Sequence, residues 1–304
     1  MILLEHYFNI NRVKIALEQE LRLSESELLT LHFAVKELLK NCPIQYIIGE
    51  TEFCGMRFFV NENVLIPRPE TEELVEKLAV SSYQFSSFRP KRSEVETRAK
   101  RELSPLVKKS PANVSILDIG TGSGCIAISL AKLIPNSDVT AVDVSEKALE
   151  VARKNAEANG VNVHFVLDDI LNSNVQTHGR ASQQFDIIVS NPPYVCESEK
   201  SEMRANVLDY EPSTALFVPD NDPLIFYRKI LEFAQKALQP NGQIWFEINE
   251  RFGKETAELC REKGFKNVEI IKDFRGKDRV VRAQARWNSQ FHASHIGEDI
   301  GGIG

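Results

Sequence analysis

The sequence has no apolar run long enough to cross a bilayer. Its most hydrophobic stretches, such as CIAISLAKLI after Gly124, meet a charge well short of the roughly 20 residues that a spanning helix needs. It also lacks a basic start followed by a small-residue cleavage site, because MILLEHYFNINRVK carries Glu5 near its beginning. The expectation is a cytoplasmic protein that does not engage membranes. Cysteine is sparse: Cys42, Cys54, Cys125, Cys196 and Cys260 are odd in number and form no CxxC pair. That argues against a disulfide framework and a thiolate zinc knuckle, and leaves reduced core side chains. An excess of basic charge is missing too, since 37 Lys and Arg face 43 Asp and Glu for a formal net charge of -6. Stable non-specific nucleic-acid binding needs a concentrated basic surface, so none is expected. His292 and His295 lie together in a glycine-containing tail and read as solvated residues, so no metal is expected.

What is present is an ordinary globular composition, 42% hydrophobic and 26% charged over 304 residues, long enough for a large domain with a smaller companion. Residues 1–50 show apolar positions at helical spacing, Ile15, Leu17 and Leu21, then Leu28, Leu31, Val35, Leu38 and Leu39. Ser24 followed by Glu27 fits a capping box. A small helical bundle is predicted there. Residues 51–72 form the next unit: TEFCGMRFFVNENVLI, rich in aromatic and β-branched residues, predicts a β-hairpin with Asn-Glu-Asn in its middle, and Pro67 to Glu72 a linker. EELVEKLAV then continues as a helix whose first turn is acidic, as the helix dipole prefers. Residues 73–286 make the main domain. Within it, Ser81 to Asn113 loses periodicity and carries eight basic against three acidic residues, a net +5, and reads as a flexible basic insertion. The tail 287–304 reads as disordered.

From Val114 onward strands and helices alternate: VSILDIG, a helix from Cys125, DVTAVDV, a helix from Glu146 to Asn159, VHFVLDD, FDIIVSN, a helix from Pro223 to Leu238, and GQIWFEIN. The alternation predicts an α/β fold, a mostly parallel sheet with helices on both faces. After a further helix, NVEIIKDF and DRVVRAQA predict a terminal antiparallel pair. In open α/β sheets, ligands lie beyond the carboxyl ends of the strands, and three such places stand out.

Asp118-Ile119-Gly120-Thr121-Gly122-Ser123-Gly124 joins an apolar strand to a helix. Glycines there let backbone approach a ligand, and GxGxG after an acid favours a nucleoside over a pyrophosphate. Asp143 closes the next strand, where a carboxylate can accept hydrogen bonds from both ribose hydroxyls of an adenosine. Asp169 follows VHFVLD and could reach an adenine amino group, with Ile170 beside it.

The third place, Ser190-Asn191-Pro192-Pro193-Tyr194, discriminates the chemistry. A planar NH2 conjugated to a carbonyl or ring is a poor nucleophile toward a methyl sulfonium, because its lone pair is delocalised. The Asn191 side-chain oxygen and a backbone carbonyl at Pro192 can together accept both N–H bonds of such a group, anchoring it in line with the methyl carrier. Tyr194 offers a flat face to the substrate plane. This pattern predicts methyl transfer to an amide or amino nitrogen. The sequence singles out no general base, and the methylated nitrogen can lose its proton to solvent afterwards.

With those residues in place, the chain resembles the HemK/PrmC family of glutamine methyltransferases. DIGTGSGCIAISLA, AVDVSEKALEVARKNAEANG and IVSNPPYV are similar to its motifs, and QYIIGETEFCGMRFFVNENVLIPRPETEELVE is similar to its hairpin and linker. The resemblance covers roughly residues 1–285. It implies a Rossmann-like class I methyltransferase domain, with a seven-stranded sheet and a terminal antiparallel strand, preceded by a helical bundle and hairpin. It implies S-adenosylmethionine as methyl donor, leaving S-adenosylhomocysteine, held by Gly120, Thr121, Gly122, Ser123, Gly124 and Asp143. Asn191, Pro192, Pro193 and Tyr194 would hold the substrate glutamine, with Asn191 also beside the donor. The implied substrate is the glutamine of the Gly-Gly-Gln motif of class 1 peptide chain release factors, docked in part by the helical bundle, and a monomer is expected. The sequence departs from the family in the length of the insertion and at Ile170, where relatives often carry an aromatic or bulky residue beside Asp169. A glutamine of a ribosomal protein, an adenine N6 of nucleic acid, and a non-enzymatic nucleoside sensor stand as alternatives.

Overall fold

In the computed structural model, residues 1–18, 20–85, 114–172 and 184–286 are described. Four helices open the chain, α1 (Ile2–Phe8), α2 (Arg12–Leu17), α3 (Glu25–Leu39) and α4 (Ile44–Ile48). The Ser24–Glu27 capping box forms in full at the start of α3, where the Ser24 N–H donates to Glu27 Oε2 at 2.7 Å.

The hairpin follows as β1 (Glu50–Phe53) and β2 (Met56–Phe59), paired antiparallel. Its turn is Cys54-Gly55, not Asn61-Glu62-Asn63. A two-residue hairpin turn whose twist matches the strands needs positive φ at both central residues, and Cys54 and Gly55 have φ of 49° and 69°. The asparagines lie in the linker beyond it, with Asn61 Oδ1 accepting from the Asn63 N–H at 3.0 Å. Phe53 and Phe58 pack edge to face, 5.8 Å between ring centres, and are fully buried. They seal the hairpin onto the main domain's core, together with Leu74, Val75 and Leu78 of α5 (Pro69–Phe85). Helix α5 runs through Ser81 and Ser82, both buried, so the expected flexible insertion cannot begin at Ser81. Residues 86–113 lie outside the described residues, as do the expected tail and its two histidines.

The main domain contains β3 (Ser115–Ile119), α6 (Cys125–Leu133), β4 (Asp138–Asp143), α7 (Glu146–Asn159), β5 (His164–Leu167) and β6 (Phe185–Ser190). A short lobe with β7 (Val195–Cys196), α8 (Ala205–Leu208) and β8 (Phe217–Val218) precedes α9 (Ile225–Ala237), β9 (Leu238–Glu247), α10 (Gly253–Glu262), β10 (Lys266–Lys272) and β11 (Asp278–Gln284). Seven strands form one sheet in the order β10-β11-β9-β6-β3-β4-β5. The pairs from β9 through β5 are parallel, and β11 runs antiparallel to both of its neighbours. The class I methyltransferase topology is therefore present. The last strand in sequence sits one place in from the edge, and β10 forms the edge itself.

Central strands buried on both faces require near-continuous apolar sequence, which SILDI, VTAVD and FDIIVS supply. One core lies under α9 and α10 around Leu231, Phe246 and Val281. The other lies under α5 and α6 around Leu74, Ile128 and Trp245. This two-sided packing fixes the carboxyl ends of β3, β4, β6 and β9 side by side. Among the described residues no helix is long and apolar enough to cross a membrane.

Candidate active site

The turn after β3 is shaped by backbone strain that only glycine relieves. Gly120 and Gly122 have φ of 75° and 55°, and nothing stands within 4 Å of where a Cβ would project from either. The Gly120 and Thr121 N–H groups both donate to the Val142 carbonyl, at 2.8 and 3.0 Å, which ties the turn to the end of β4. Beneath it, Thr121 donates its hydroxyl to Asp118 Oδ2 at 2.6 Å, and burial pushes the Asp118 carboxyl up to about 7.

Asp143 stands at the end of β4. Its Oδ2 accepts from the Gly122 N–H at 2.8 Å and its Oδ1 from the Ser145 N–H at 2.9 Å. Burial raises its pKa, while the N–H groups of Ser145 and Gly122 favour the charged form. Each carboxylate oxygen keeps a second lone pair for a ribose hydroxyl. Open space beside two glycines and a carboxylate with spare acceptors fit an adenosyl group.

Gly124 is different from its two neighbours. A Cβ there would meet Ile128 Cδ1 at 2.8 Å and Ala152 Cβ at 3.1 Å, and the residue does not line the cavity. Its lack of a side chain serves the close approach of α6 and α7. Asp169 does line the cavity, but its Oδ1 accepts from the Leu171 N–H at 2.9 Å and its Oδ2 from Asn172 Nδ2 at 2.7 Å. These bonds shape its own loop, and each oxygen keeps a second lone pair, as in Asp143. Ile170 also lines the cavity and packs against the core beside Phe226.

At the end of β6, Ser190 donates its hydroxyl to the Ile119 carbonyl at 2.6 Å, locking this strand end to the glycine turn. Asn191 Nδ2 donates to Thr71 Oγ1 at 3.3 Å, and no described residue donates to Asn191 Oδ1. The amide therefore keeps a free acceptor at the cavity wall, with Pro192 and Pro193 beside it. The Tyr194 hydroxyl donates to Glu247 Oε1 at 3.1 Å, its ring packs against the core, and it does not line the cavity. The hydroxyl bond braces the motif against the end of β9, while the residue itself stays only partly buried.

Two further elements complete the wall. The linker from Glu62 to Thr71 forms one side of the cavity, held there because Arg68 Nη2 pairs with Glu211 Oε1 at 2.6 Å. Glu211 has a side chain only 1% exposed, and it also accepts from the Ile66 N–H at 3.3 Å. Opposite, Pro212, Thr214, Ala215 and Phe217 close over the site from the lobe between β6 and α9. The cavity has a volume of about 580 Å³, is partly open to solvent, and is lined from Asp143 to Asn191. That is within the range of small-molecule sites and leaves one end for a reacting side chain. Among the described residues no group of three or more His, Cys, Asp or Glu is placed to hold a metal ion.

A family profile described as PrmC N-terminal domain matches residues 1–49, and one described as methyltransferase domain matches residues 110–280. The release factor glutamine methyltransferase of Flavobacterium psychrophilum is 48% identical over 285 residues, 94% of this chain and 90% of that protein. The Bacteroides thetaiotaomicron protein of the same name is 43% identical over 274 residues, 90% of this chain and 87% of that protein. Among solved structures, the release factor-specific protein-(glutamine-N5) methyltransferase of Alicyclobacillus acidocaldarius is 26% identical. That match covers 76% of this chain and all of that one, with a TM-score of 0.41.

Proposed function

The chain belongs to the family of release factor glutamine methyltransferases, and on that premise we propose that it methylates the side-chain nitrogen of the Gly-Gly-Gln glutamine in class 1 release factors. The methyl donor is S-adenosylmethionine, whose sulfonium supplies an already activated methyl group when bound.

The chain's own residues then have three tasks. Asp143 and the turn from Gly120 to Ser123 seat the adenosyl end. Asn191 Oδ1, with a backbone carbonyl of the Pro192 segment, accepts the N–H bonds of the glutamine amide, which aims the nitrogen and opposes the positive charge it gains during transfer. The walls from the linker and from Phe217 exclude water. The observation that carries this reading is the free acceptor of Asn191 at one end of a cavity whose other end is Asp143.

The helices of residues 1–50 serve to dock the protein substrate. In support, they carry Val13, Leu17, Leu28, Leu29, Phe33 and Leu39 exposed to solvent. The enzyme works in the cytoplasm as a monomer without stably holding nucleic acid, the last supported by its net charge of -6. Sedimentation of the purified chain checks the monomer.

The direct experiment incubates the protein with radiolabelled S-adenosylmethionine and a release factor. Label transfers to the intact Gly-Gly-Gln protein and not to its Gln→Ala variant. Equal labelling of both would defeat the proposal.

A further inference from the structure

We propose that Thr71 and Glu247 are positioning residues for methyl transfer: the Glu247 carboxylate, acting through the Thr71 hydroxyl, dictates which end of the Asn191 amide is offered to the substrate nitrogen. This inference rests on the reading of Asn191 as the acceptor for the glutamine amide.

The two ends of an asparagine amide have nearly the same shape and differ only in donating or accepting. Turned the wrong way, Asn191 would present an NH2 to the substrate NH2, two donors facing each other. A hydroxyl by itself cannot prevent this, because it both donates and accepts.

Thr71 is prevented from donating to Asn191. It has a single proton, and donates it to Glu247 Oε2 at 2.7 Å. What remains toward Asn191 is a lone pair, which accepts from Nδ2 at 3.3 Å and would repel Oδ1. With Glu247 ionised, the polarity of the relay runs from Glu247 through Thr71 to Asn191.

Glu247 is in turn held from several directions. Its Oε1 accepts from the Tyr194 hydroxyl at 3.1 Å, and its backbone carbonyl accepts from the Tyr227 hydroxyl at 3.0 Å. Thr71 and Glu247 are 2% and 1% exposed, so water does not compete for these groups. The relay joins the first turn of α5 to the carboxyl ends of β6 and β9, three elements far apart in sequence. A buried carboxylate is costly in a protein interior, and this one does not line the cavity. Two hydroxyl donors compensate it, and one of them carries its polarity to Asn191.

The test measures initial rates on an intact release factor for the full chain and five variants: Thr71→Val, Thr71→Ser, Glu247→Gln, Asn191→Ala and the double variant Thr71→Val/Asn191→Ala. Thr71→Val keeps the shape and removes the hydroxyl. We expect it to lower kcat at least about tenfold while the KM for S-adenosylmethionine changes by less than about threefold. Thr71→Ser should recover kcat to within about threefold of the parent, and Glu247→Gln should lose about as much as Thr71→Val.

The double variant separates a relay from general structural support. If Thr71 acts through Asn191, removing its hydroxyl costs less than about twofold once Asn191 is alanine. An equal loss in both backgrounds, or an unchanged kcat in Thr71→Val, overturns the relay while the role of Asn191 stands. An Asn191→Ala variant with full kcat overturns the role of Asn191 and the relay with it. If Thr71→Val does not fold, Glu247→Gln carries the test, and an unchanged kcat there overturns the relay.

Discussion

Asn155 on α7 pairs with the backbone of Phe59 in both directions: the Phe59 N–H donates to Asn155 Oδ1 at 2.6 Å, and Asn155 Nδ2 donates to the Phe59 carbonyl at 3.0 Å. The same Nδ2 reaches the Ser123 carbonyl at 2.8 Å. One fully buried side chain thus fastens the hairpin to the glycine turn of the candidate site. An Asn155→Asp variant loses both donors and strands two carbonyls. It should be destabilised by about 2–4 kcal/mol, read from chemical denaturation, and should bind S-adenosylmethionine more weakly by calorimetry.

Arg68 and Glu211 clasp the linker to the lobe over the cavity. Removing the arginine leaves a buried carboxylate with the Ile66 N–H alone. Arg68→Ala should cost about 3 kcal/mol, visible as a lowered Tm, and more than a Glu211→Gln change, because the charge that the latter leaves unpaired is the Arg68 guanidinium, whose side chain is 32% exposed, against 1% for Glu211.

Asp143→Asn offers one oxygen where Gly122 and Ser145 both need an acceptor, and it removes an acceptor for ribose. We expect the Kd for S-adenosylmethionine to rise about 10–100-fold by titration calorimetry, with the far-ultraviolet circular dichroism unchanged.

Gly120→Ala and Gly124→Ala should separate binding from packing. Both place a Cβ at positive φ, but only at Gly124 does it collide with Ile128 and Ala152. Gly124→Ala is expected to lose about 2–4 kcal/mol of stability, the sum of strain and overpacking, whereas Gly120→Ala should lose about 1 kcal/mol and weaken donor binding more than it lowers Tm.

Burial raises the Asp118 carboxyl from its ordinary 3.8 to about 7. A carboxyl with a folded pKa above its unfolded one binds its proton more tightly in the folded state. Its contribution to stability is therefore full below pH 3.8 and is lost as pH rises through about 7. Asp143 and Glu247 are raised in the same direction by burial. Asp118→Asn should flatten the fall in unfolding free energy across this window in the ligand-free protein, measured by urea denaturation at a series of pH values.

Most of the sheet was legible from the sequence because its central strands are apolar runs with turn residues at their carboxyl ends, and the motifs sit at those ends. What escaped depends on neighbours remote in sequence. Gly120, Gly122 and Gly124 look alike as letters, and only the packing of α7 against α6 distinguishes the third. Tyr194 reads as a free ring until Glu247, which the strand order β9-β6 brings alongside, takes its hydroxyl. Thr71 and Glu211 lie 120 and 143 residues from the partners that give them a role, Asn191 and Arg68. The hairpin turn was misplaced for a local reason: Asn-Glu-Asn carries common turn residues, while Cys54 adopts a left-handed conformation unusual for its type.

The position of β11 between β9 and β10 sets an order of events during synthesis. Val280 pairs with Glu247, so the strand end that holds this carboxylate gains its neighbour only after residue 280 has left the ribosome. Until then β9 has one free edge and β10 has no partner in the sheet. A chain cut short before β11 could have the glycine turn, the NPPY segment and the linker all translated and still lack the support behind Glu247. The site thus waits on β11, the strand of the sheet that comes last in sequence yet lies inside its edge.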